Sequence, residues 1–431
     1  MPINGLSTTK YYERLGVNPF AITENYPRSD GTVLLTENTS LKITHPTGQY
    51  NARMGAALAL SGDGTRLIVG MPDGAWYDDS VFENPSPQWP GRVQAYYKNP
   101  VSPTTWSPLG PVQFYGLGGE EPTGDENIGA IVAMSRDGQW IASSNQERIE
   151  MHGPDNKQLA FYTDNIPGQF AFNANGSRIV VGMPLGGPAT HHGRVTVYGI
   201  RESAANTEYI NNYILGNSLT GTANNDNFGS EVCINDEGDI IGVGIPGADI
   251  AGTNLGAVKI YKLIGSTWTQ IGQTIGLHTE EKVTSLAMNG AGDIICIGSA
   301  FNQPPNTNEP TGEISVYKFD GSYWNLLGHK IMNYLTPTVQ IGHAVDMSHD
   351  GYTIVVANGA STITSNLLNE TVVVYRYNGS VWKSVGSFEG PSNTAQNGFS
   401  VGISSDGKTI VAGAPGTNSN RGEVRYFTLN V

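Results

Sequence analysis

The stretch from Asp73 to Pro90 holds the side chains best suited to molecular recognition. It combines aromatic rings with carboxylates, namely Trp76, Tyr77, Asp78, Asp79, Phe82, Glu83 and Trp89. Exposed rings beside carboxylates suit stacking on a sugar or a hot spot for a protein partner. We therefore predict that Trp76, Tyr77, Asp78, Phe82 and Trp89 contribute to a ligand-binding site. In the alternative interpretation, the rings pack on one another and hold this segment in place.

The second candidate is the histidine pair His191-His192. We assign the pair to ligand binding and not to a metal, because a metal ion needs further ligands with convergent geometry. A group of carboxylates, Glu120, Glu121, Asp125 and Glu126, is expected to be solvated. The sequence contains no GxSxG or HExxH motif. We predict no catalytic residue, no metal and no cofactor.

A repeated unit must position these candidates, and it is clearest near the C-terminus. Val401–Ser404 and Thr409–Ala412 are short runs of β-branched and small residues, which favour strands. Asp406-Gly407 between them is a strong hairpin signal, because glycine tolerates positive φ. Pro415 ends the second strand. Glu423–Phe427 alternates polar and apolar residues, as a half-buried third strand does.

The turn glycine of this unit recurs seven times, mostly at spacings of roughly 40–60 residues, as in propeller blades. The seven are Gly64, Gly138, Gly176, Gly238, Gly292, Gly351 and Gly407. A fourth strand is marked by a tryptophan four residues before a glycine, at Trp106, Trp268, Trp324 and Trp382. We expect these tryptophans to pack between blades. The sequence thus predicts an all-β, seven-bladed β-propeller of four-stranded antiparallel blades.

Two copies resemble FG-GAP repeats, the units of integrin-α-like seven-bladed β-propellers. They are FGSEVCINDEGDIIGVGIPGAD from Phe228 and FSVGISSDGKTIVAGAPGTNSNRGEVRYF from Phe399. The likeness extends over about residues 41–431 and implies a propeller used for binding or adhesion. Calcium-binding members of the family carry several spaced acidic residues in the first hairpin, whereas the turns here carry one or two. Calcium is therefore not carried over.

The two ends of the chain are expected to share a blade. The seventh copy ends after its third strand, and Thr39–Thr47 has the pattern of the missing fourth strand. We predict that this segment completes the C-terminal blade and closes the ring, which removes two sheet edges. The division is then an N-terminal arm, residues 1–38, and a propeller, residues 39–431. The arm is expected either to pack on the propeller or, through residues 1–30, to dock on a larger assembly.

Because strands alternate in direction, the connections fall on two faces. The Asp-Gly hairpins and the turns before the fourth strands share one face. The loops between second and third strands share the other face with the connections between blades. The loops of this second face vary most in length: Met71–Pro90, Met183–His192, Pro246–Leu255, Ser299–Thr311 and Asn358–Glu370. Variable loops on a rigid scaffold commonly carry binding function, so we expect recognition there.

Charge and composition restrict the partners. A formal net charge of −14 disfavours nucleic acid and anionic membranes. The sequence has no apolar run of the roughly 20 residues that a membrane-spanning helix needs, so we predict no membrane insertion. Its start lacks the apolar segment of a secretory signal, and we leave the compartment open. Cys233 and Cys296 are expected to be buried free thiols.

Several functions fit these features. The first is a non-enzymatic binding or adhesion propeller that recognises a protein or glycan through its loop-rich face. A Lys+Arg count of only 24, Asn/Thr-rich loops and the arm would suit a virion surface or spike protein. The alternatives are a structural capsid or scaffold component docked through the arm, and a hydrolase or lyase with its active site in the central channel. A calcium-dependent adhesion module is the fourth hypothesis.

Overall fold

The computed structural model describes most of the chain, and the predicted arm up to residue 34 lies outside the described residues. The described residues are 35–39, 42–44, 52–73, 91–100, 105–109, 128–145, 148–154, 158–163, 167–187, 190–202, 210–248, 256–277, 283–302, 311–332, 339–360, 371–390, 396 and 398–430. No helix within these ranges is long and apolar enough to cross a bilayer.

The strands form seven antiparallel sheets, each a blade of the predicted propeller. In each blade, strand A lies innermost and strands B, C and D follow outwards. The seven A strands contact one another in the cyclic order β3, β7, β11, β16, β21, β26 and β30, and β30 returns to β3. The ring is therefore closed around a central channel, as the sequence predicted.

The strand bounds follow the repeat. Blade 1 is β3 (Ala57–Leu60), β4 (Arg66–Met71), β5 (Arg92–Lys98) and β6 (Trp106–Pro108); blade 2 is β7 (Val132–Met134), β8 (Ile141–Asn145), β9 (Arg148–His152) and β10 (Gln158–Tyr162); blade 3 is β11 (Gln169–Phe172), β12 (Arg178–Met183), β13 (Arg194–Glu202), β14 (Ile210–Ile214) and β15 (Leu219–Thr220). Blade 4 is β16 (Val232–Ile234), β17 (Ile240–Ile245), β18 (Ala257–Ile264), β19 (Thr267–Gln270) and β20 (Ile275–Gly276); blade 5 is β21 (Val283–Met288), β22 (Ile294–Asn302), β23 (Thr311–Phe319), β24 (Trp324–Leu326) and β25 (Ile331–Met332). Blade 6 is β26 (Val339–Met347), β27 (Thr353–Ala360), β28 (Thr371–Tyr377) and β29 (Trp382–Glu389); blade 7 is β30 (Ser400–Ile403), β31 (Thr409–Ala414) and β32 (Glu423–Leu429), completed by β1 (Leu35–Glu37) and β2 (Ile43–Thr44). A short turn, Thr417–Asn420, joins β31 to β32, and Asn418 and Ser419 in it have left-handed backbone.

The A–B hairpins form for the reason expected from the sequence. All seven turn glycines have φ between 69° and 79°, which is the left-handed region that glycine reaches at little cost. We call the face that carries these hairpins the hairpin face, and the opposite face, which carries the B–C and D–A connections, the loop face.

The repeated tryptophans pack between blades, as predicted. Nε1 of Trp268, Trp324 and Trp382 donates to the carbonyl oxygen of Leu215, Ile271 and Leu327, respectively, in the preceding blade, at 2.8, 3.1 and 2.8 Å. The three side chains are almost fully buried. In blade 1 the Trp106 ring makes an edge contact with Tyr426 of blade 7, so it also faces the preceding blade.

The glycine of the Trp-x-x-x-Gly motif receives the tryptophan of the next blade. A Cβ atom at Gly272 would lie 2.6 Å from Cδ1 of Trp324, and one at Gly328 would lie 3.0 Å from Cδ1 of Trp382. Both glycines also have positive φ. The motif therefore joins successive blades, because its two residues belong to two different blade interfaces.

The N-terminus closes the ring through two short strands. Both β1 and β2 pair antiparallel with β32, with Leu35 opposite Leu429 and Ile43 opposite Val424. The expected closing segment, Thr39–Thr47, thus supplies β2. The other half of the closure, β1, lies N-terminal to the expected boundary at residue 38.

The closing strand β1 lacks the tryptophan that marks the fourth strand of other blades in the sequence. A Cβ atom at Gly386, the motif glycine of blade 6, would lie 2.7 Å from Cβ of Leu35. Leu35 therefore occupies the place that tryptophan takes in blades 4 to 6. An ion pair adds to the closure, since Arg425 donates from Nε and Nη2 to the two carboxylate oxygens of Glu37 at 2.9 and 2.7 Å.

Candidate functional site

The acidic residues of the A–B hairpins hold their own turns. In blade 1 the Ser61 hydroxyl donates to Asp63 at 2.6 Å, and the Thr65 backbone N–H donates to the same carboxylate at 2.9 Å. Burial alone would raise the pKa of Asp63, but the hydrogen bonds from Ser61 and Thr65 outweigh it and hold that pKa below its usual value. The same pattern recurs at Asp137, Asp350 and Asp406. These carboxylates have a structural use within the hairpin.

Seven backbone hydrogen bonds link these hairpins into a ring around the channel. The second turn residue of one blade donates its N–H to the carbonyl oxygen of its counterpart in the next blade, and in blade 2 the third residue, Asp137, donates instead. The bonds run from Gly62 to Arg136, Asp137 to Ala174, Ala174 to Asp236, Asp236 to Gly290, Gly290 to His349, His349 to Ser405 and Ser405 back to Gly62, at 2.7 to 3.2 Å. This ring fixes the channel opening on the hairpin face.

Polar side chains from the same turn position cross that opening. Arg136 Nε donates to Asp236 at 2.8 Å, and its Nη1 donates to the Ser405 hydroxyl at 3.1 Å. His349 Nε2 lies 2.9 Å from the other Asp236 oxygen. Each contact joins blades two places apart in the ring, so the side chains span the opening and do not follow its rim. We call these four residues the axial cluster.

Above the axial cluster, the channel widens into a cavity of about 250 Å³. Aliphatic and aromatic residues of the A strands line it, among them Leu60, Met134 and Phe172, but most of its accessible surface is polar. The charged side chains in its lining are Arg136, Asp236 and Asp346.

Asp346 differs from the residues at the same strand position in the other six blades. This position lies two residues before the first residue of each A–B hairpin turn, and the other blades carry Ala59, Ala133, Ala171, Cys233, Ala287 and Gly402 there. The Asp346 carboxylate accepts from the backbone N–H groups of Ile403, in blade 7, and of Met347, at 2.9 and 2.8 Å. Burial raises the pKa of Asp346 to about 6, although these two hydrogen bonds and the Arg136 charge act in the opposite direction.

On the loop face, glycine contacts between blades hold the bases of the loops. Gly229 of blade 4 donates its N–H to the Gly244 carbonyl of its own blade at 2.9 Å. Its own carbonyl oxygen approaches Gly182 of blade 3 so closely that a Cβ atom there would lie 2.0 Å away. Gly55 makes the same contact with Gly413. Because backbone packs on backbone, these positions admit no side chain.

The described part of the loop face presents a patch between blades 3 and 4. It consists of Leu185, His191, His192, Asn224, Asn225 and Asn227. His192 Nε2 lies 2.8 Å from Oδ1 of Asn224. The backbone N–H groups of Asn225 and Asn227 donate to Thr190 and His191, respectively. The two loops are therefore fixed on each other by backbone hydrogen bonds, and the contact between His192 and Asn224 adds a side-chain link. We call this surface the blade 3–4 patch.

Left-handed backbone is distributed unequally between the two faces. Eight described residues other than glycine have positive φ: Arg53, His191, Asn225, Asn227, Gln396, Asn418, Ser419 and Asn420. All eight lie in B–C or D–A connections, on the loop face. In the A–B and C–D turns of the hairpin face, the described residues with positive φ are glycines. Such conformations cost free energy outside glycine and persist where surrounding contacts impose them.

The structure places only part of the predicted site. His191 is exposed and His192 half-buried, both in the blade 3–4 patch. Trp76, Tyr77, Asp78, Phe82 and Trp89 lie outside the described residues, so their role stays a prediction. Among the residues that the structure describes, no group of three His, Cys, Asp or Glu side chains is arranged to hold a metal ion.

Sequence reasoning missed the axial cluster and Asp346. A signal was present, because Arg136, Asp236 and His349 all stand second in their hairpin turns and Asp346 breaks a run of small residues. Their convergence depends on ring closure, since each comes from a different blade.

Comparisons with known proteins support the fold alone. No family model matches the chain, and no curated protein matches it in sequence. Among solved structures it is similar to the β-propeller domain of Cps50 (Swd1) from Myceliophteria thermophila, with 13% identity, a TM-score of 0.54, and coverage of 90% of this chain and 99% of that one. It is also similar to a putative 6-phosphogluconolactonase from Bacteroides uniformis, with 12% identity, a TM-score of 0.51, and coverage of 83% and 90%. Hydrazine synthase from Kuenenia stuttgartiensis gives 12% identity, a TM-score of 0.52, and coverage of 88% and 97%. These proteins differ in function, and their shared feature with this chain is the propeller fold.

Proposed function

We propose that this protein is a non-enzymatic binding propeller that recognises a protein or glycan through its loop face. The observation that carries the proposal is the confinement of all eight described non-glycine left-handed residues to that face. In the blade 3–4 patch, hydrogen-bonded loops present histidine and asparagine side chains at the surface. Amide and imidazole groups offer hydrogen-bond donors and acceptors, which suits hydroxyl groups and peptide groups.

The position of the chain ends supports the same assignment. Leu35, the first residue of β1, pairs with Leu429 near the C-terminus. Strand C runs from the loop face to the hairpin face, so this pair lies at the hairpin face of blade 7. Leu35 and Asn430, the first and last described residues of blade 7, therefore lie on the side opposite the loops. Attachment at this edge of blade 7 would leave the loop face open to a ligand.

The glycine contacts support a further part of the proposal, that this is a divergent propeller of the FG-GAP, integrin-α-like kind. Such repeats take their pattern from a Phe-Gly segment and a Gly-Ala-Pro segment, which here are Phe228-Gly229 and Gly413-Ala414-Pro415. In this chain the two glycine types meet across blade interfaces. A location on a virion surface or spike rests on sequence features only, and recovery of the native protein free of any particle would oppose it.

The test uses glycine substitutions that remove side chains without straining the backbone. His191 and Asn225 have φ of 49° and 64°, so glycine at both positions retains the loop conformation. The wild type and the His191→Gly/Asn225→Gly variant would be applied to a glycan array and to a displayed random-peptide library. We expect ligands of the wild type to bind the variant at least tenfold more weakly.

A matched control separates this result from general damage. Asn325 is an exposed amide on the outer strand of blade 5, and Asn325→Ala should bind as the wild type does. A Trp76→Ala/Trp89→Ala variant tests the predicted aromatic part of the site in the same assay. Binding that survives both loop-face variants, or that Asn325→Ala weakens as much as they do, would overturn the proposal.

A structural role is the second candidate, and the position of Leu35 at the hairpin face, away from the loops, favours it. In that case residues 1–30 would dock the ring on a larger assembly. Deletion of these residues leaves Leu35–Glu37 to close the ring, so the propeller should fold and incorporation should be lost. Normal incorporation of the deletion variant would oppose this role.

A further inference from the structure

The channel cavity has a defined electrostatic character. Arg136 and Asp236 form an ion pair at 2.8 Å, so their charges largely offset each other. Asp346 is the third charged residue of the lining, and it forms no ion pair among the described residues. With a pKa of about 6, its carboxylate is mostly ionised at neutral pH.

The Asp346 carboxylate also retains acceptor capacity. A carboxylate offers about four lone-pair positions, and the contacts to Ile403 and Met347 use two of them. The carboxylate is buried, where an anion is costly unless a cation or further donors satisfy it. Six of the seven blades avoid that cost with Ala, Cys or Gly at this position.

We propose that the channel cavity binds a small organic cation, a compound with an ammonium or amidinium head group and a short apolar body, through the carboxylate of Asp346. The head group would satisfy the open acceptor positions, and the body would contact the aliphatic wall. A volume of about 250 Å³ corresponds to about eight water molecules, so the ligand is smaller than a drug-sized molecule. The axial cluster spans the channel opening on the hairpin face.

The alternative reading of Asp346 is a cap for the Ile403 N–H, and one variant separates the two. Asp346→Asn keeps an acceptor oxygen for that N–H but removes the negative charge. The probes are butylammonium and benzamidinium, with butanol and benzamide as neutral counterparts of similar size. Binding is measured by calorimetry at low ionic strength and neutral pH, together with the shift in melting temperature.

We expect the cations to bind the wild type saturably, and the neutral counterparts to bind at least tenfold more weakly. Loss of a charge-assisted hydrogen bond costs about 1.5–3 kcal/mol, which is roughly a 10- to 100-fold loss of affinity for Asp346→Asn. The control is Asp350→Asn, because blade 3 already carries asparagine at the equivalent turn position, Asn175. This control should keep the wild-type affinity.

Folding of the variant does not limit the test. If Asp346→Asn fails to fold, Asp346→Ala reproduces the residue that four other blades carry in this layer, and it should also lose the cations. Failure of both cations to bind the wild type would overturn the proposal, as would equal affinity in wild type and Asp346→Asn. The outcome is independent of the loop-face experiment, because neither His191 nor Asn225 lines the cavity.

Discussion

At the scale of single residues, this propeller places ionisable groups where most of its repeats carry small or apolar ones. Asp346 is one case and Glu231 is another. Glu231 precedes β16 and lies between blades 4 and 5. A Cβ atom at Gly244 would lie 3.1 Å from Cβ of Glu231 and 3.0 Å from Cγ1 of Val283 in blade 5. Burial raises the pKa of Glu231 to about 8, so the carboxyl group stays protonated in the folded protein at neutral pH.

This gives a prediction for stability against pH. The pKa of Glu231 is near its ordinary value of 4.5 in the unfolded chain and rises to about 8 in the folded protein. Between these values the unfolded state alone gains from ionisation. The stability contribution of the protonated group is therefore complete below pH 4.5 and is lost as the pH rises towards 8, by at most about 1.4 kcal/mol per pH unit.

Comparison with Glu231→Gln isolates this effect. The unfolding free energies of the variant and the wild type would be measured by urea unfolding at each pH. Their difference, in favour of the variant, should grow from near pH 5 upwards and level off above about pH 8. Ser230→Ala changes the adjacent residue without removing a titratable group and should keep the wild-type profile. A constant difference between Glu231→Gln and wild type at every pH would contradict the assignment.

At the scale of elements, the unit of stability is the interface between two blades. The indoles of Trp268, Trp324 and Trp382 each insert into the blade before them, donate to a carbonyl oxygen there and lie against a glycine. The buried face of a D strand is therefore completed by the neighbouring blade, as in other repeat architectures.

Substitutions at Trp324 should show the strength of this interface. Trp324→Ala removes a side chain that is 2% exposed and should lower the unfolding free energy by about 3–5 kcal/mol. Trp324→Phe keeps most of the apolar contact but loses the bond to Ile271, at a cost of about 1 kcal/mol for the hydrogen bond. The adjacent Tyr323 is 62% exposed, and Tyr323→Ala should stay within about 0.5 kcal/mol of wild type. Equal effects of Trp324→Ala and Tyr323→Ala would contradict this account.

The elements were predictable wherever local residues encode them. Asp406-Gly407 and its counterparts identify the A–B hairpins, because glycine at positive φ is a local requirement. Trp106, Trp268, Trp324 and Trp382 identify four D strands. The C and D strands of blade 2, β9 and β10, were missed, since they carry no tryptophan and only residues 146–147 separate β8 from β9. Leu35 was missed for the related reason that leucine replaces tryptophan at the closing interface.

At the scale of the whole molecule, the features that sequence could not supply all depend on ring closure. The axial cluster brings together Arg136, Asp236, His349 and Ser405 from four blades. The cavity at Asp346 forms because seven A strands face one axis. The same closure sets the hairpin face and the loop face apart, and puts both described chain ends on the hairpin face. The histidine pair was found from its residue types, but its contact with Asn224 comes from another blade connection and required the fold.

The most direct test of the central claim is a disulfide across the closing strands. Thr36 lies opposite Thr428 in the pairing of β1 with β32, and both side chains have access to solvent. A Thr36→Cys/Thr428→Cys variant should form an intramolecular disulfide under mild oxidation, seen by mass spectrometry after digestion. The control Thr36→Cys/Asn325→Cys instead pairs Thr36 with an exposed position on the outer strand of blade 5, two blades away and beyond the reach of a disulfide. A bond in the first variant and none in the control is the predicted result. No bond in the first, or equal yield in both, would contradict a ring closed by the N-terminal strand and with it the assignment of the two faces.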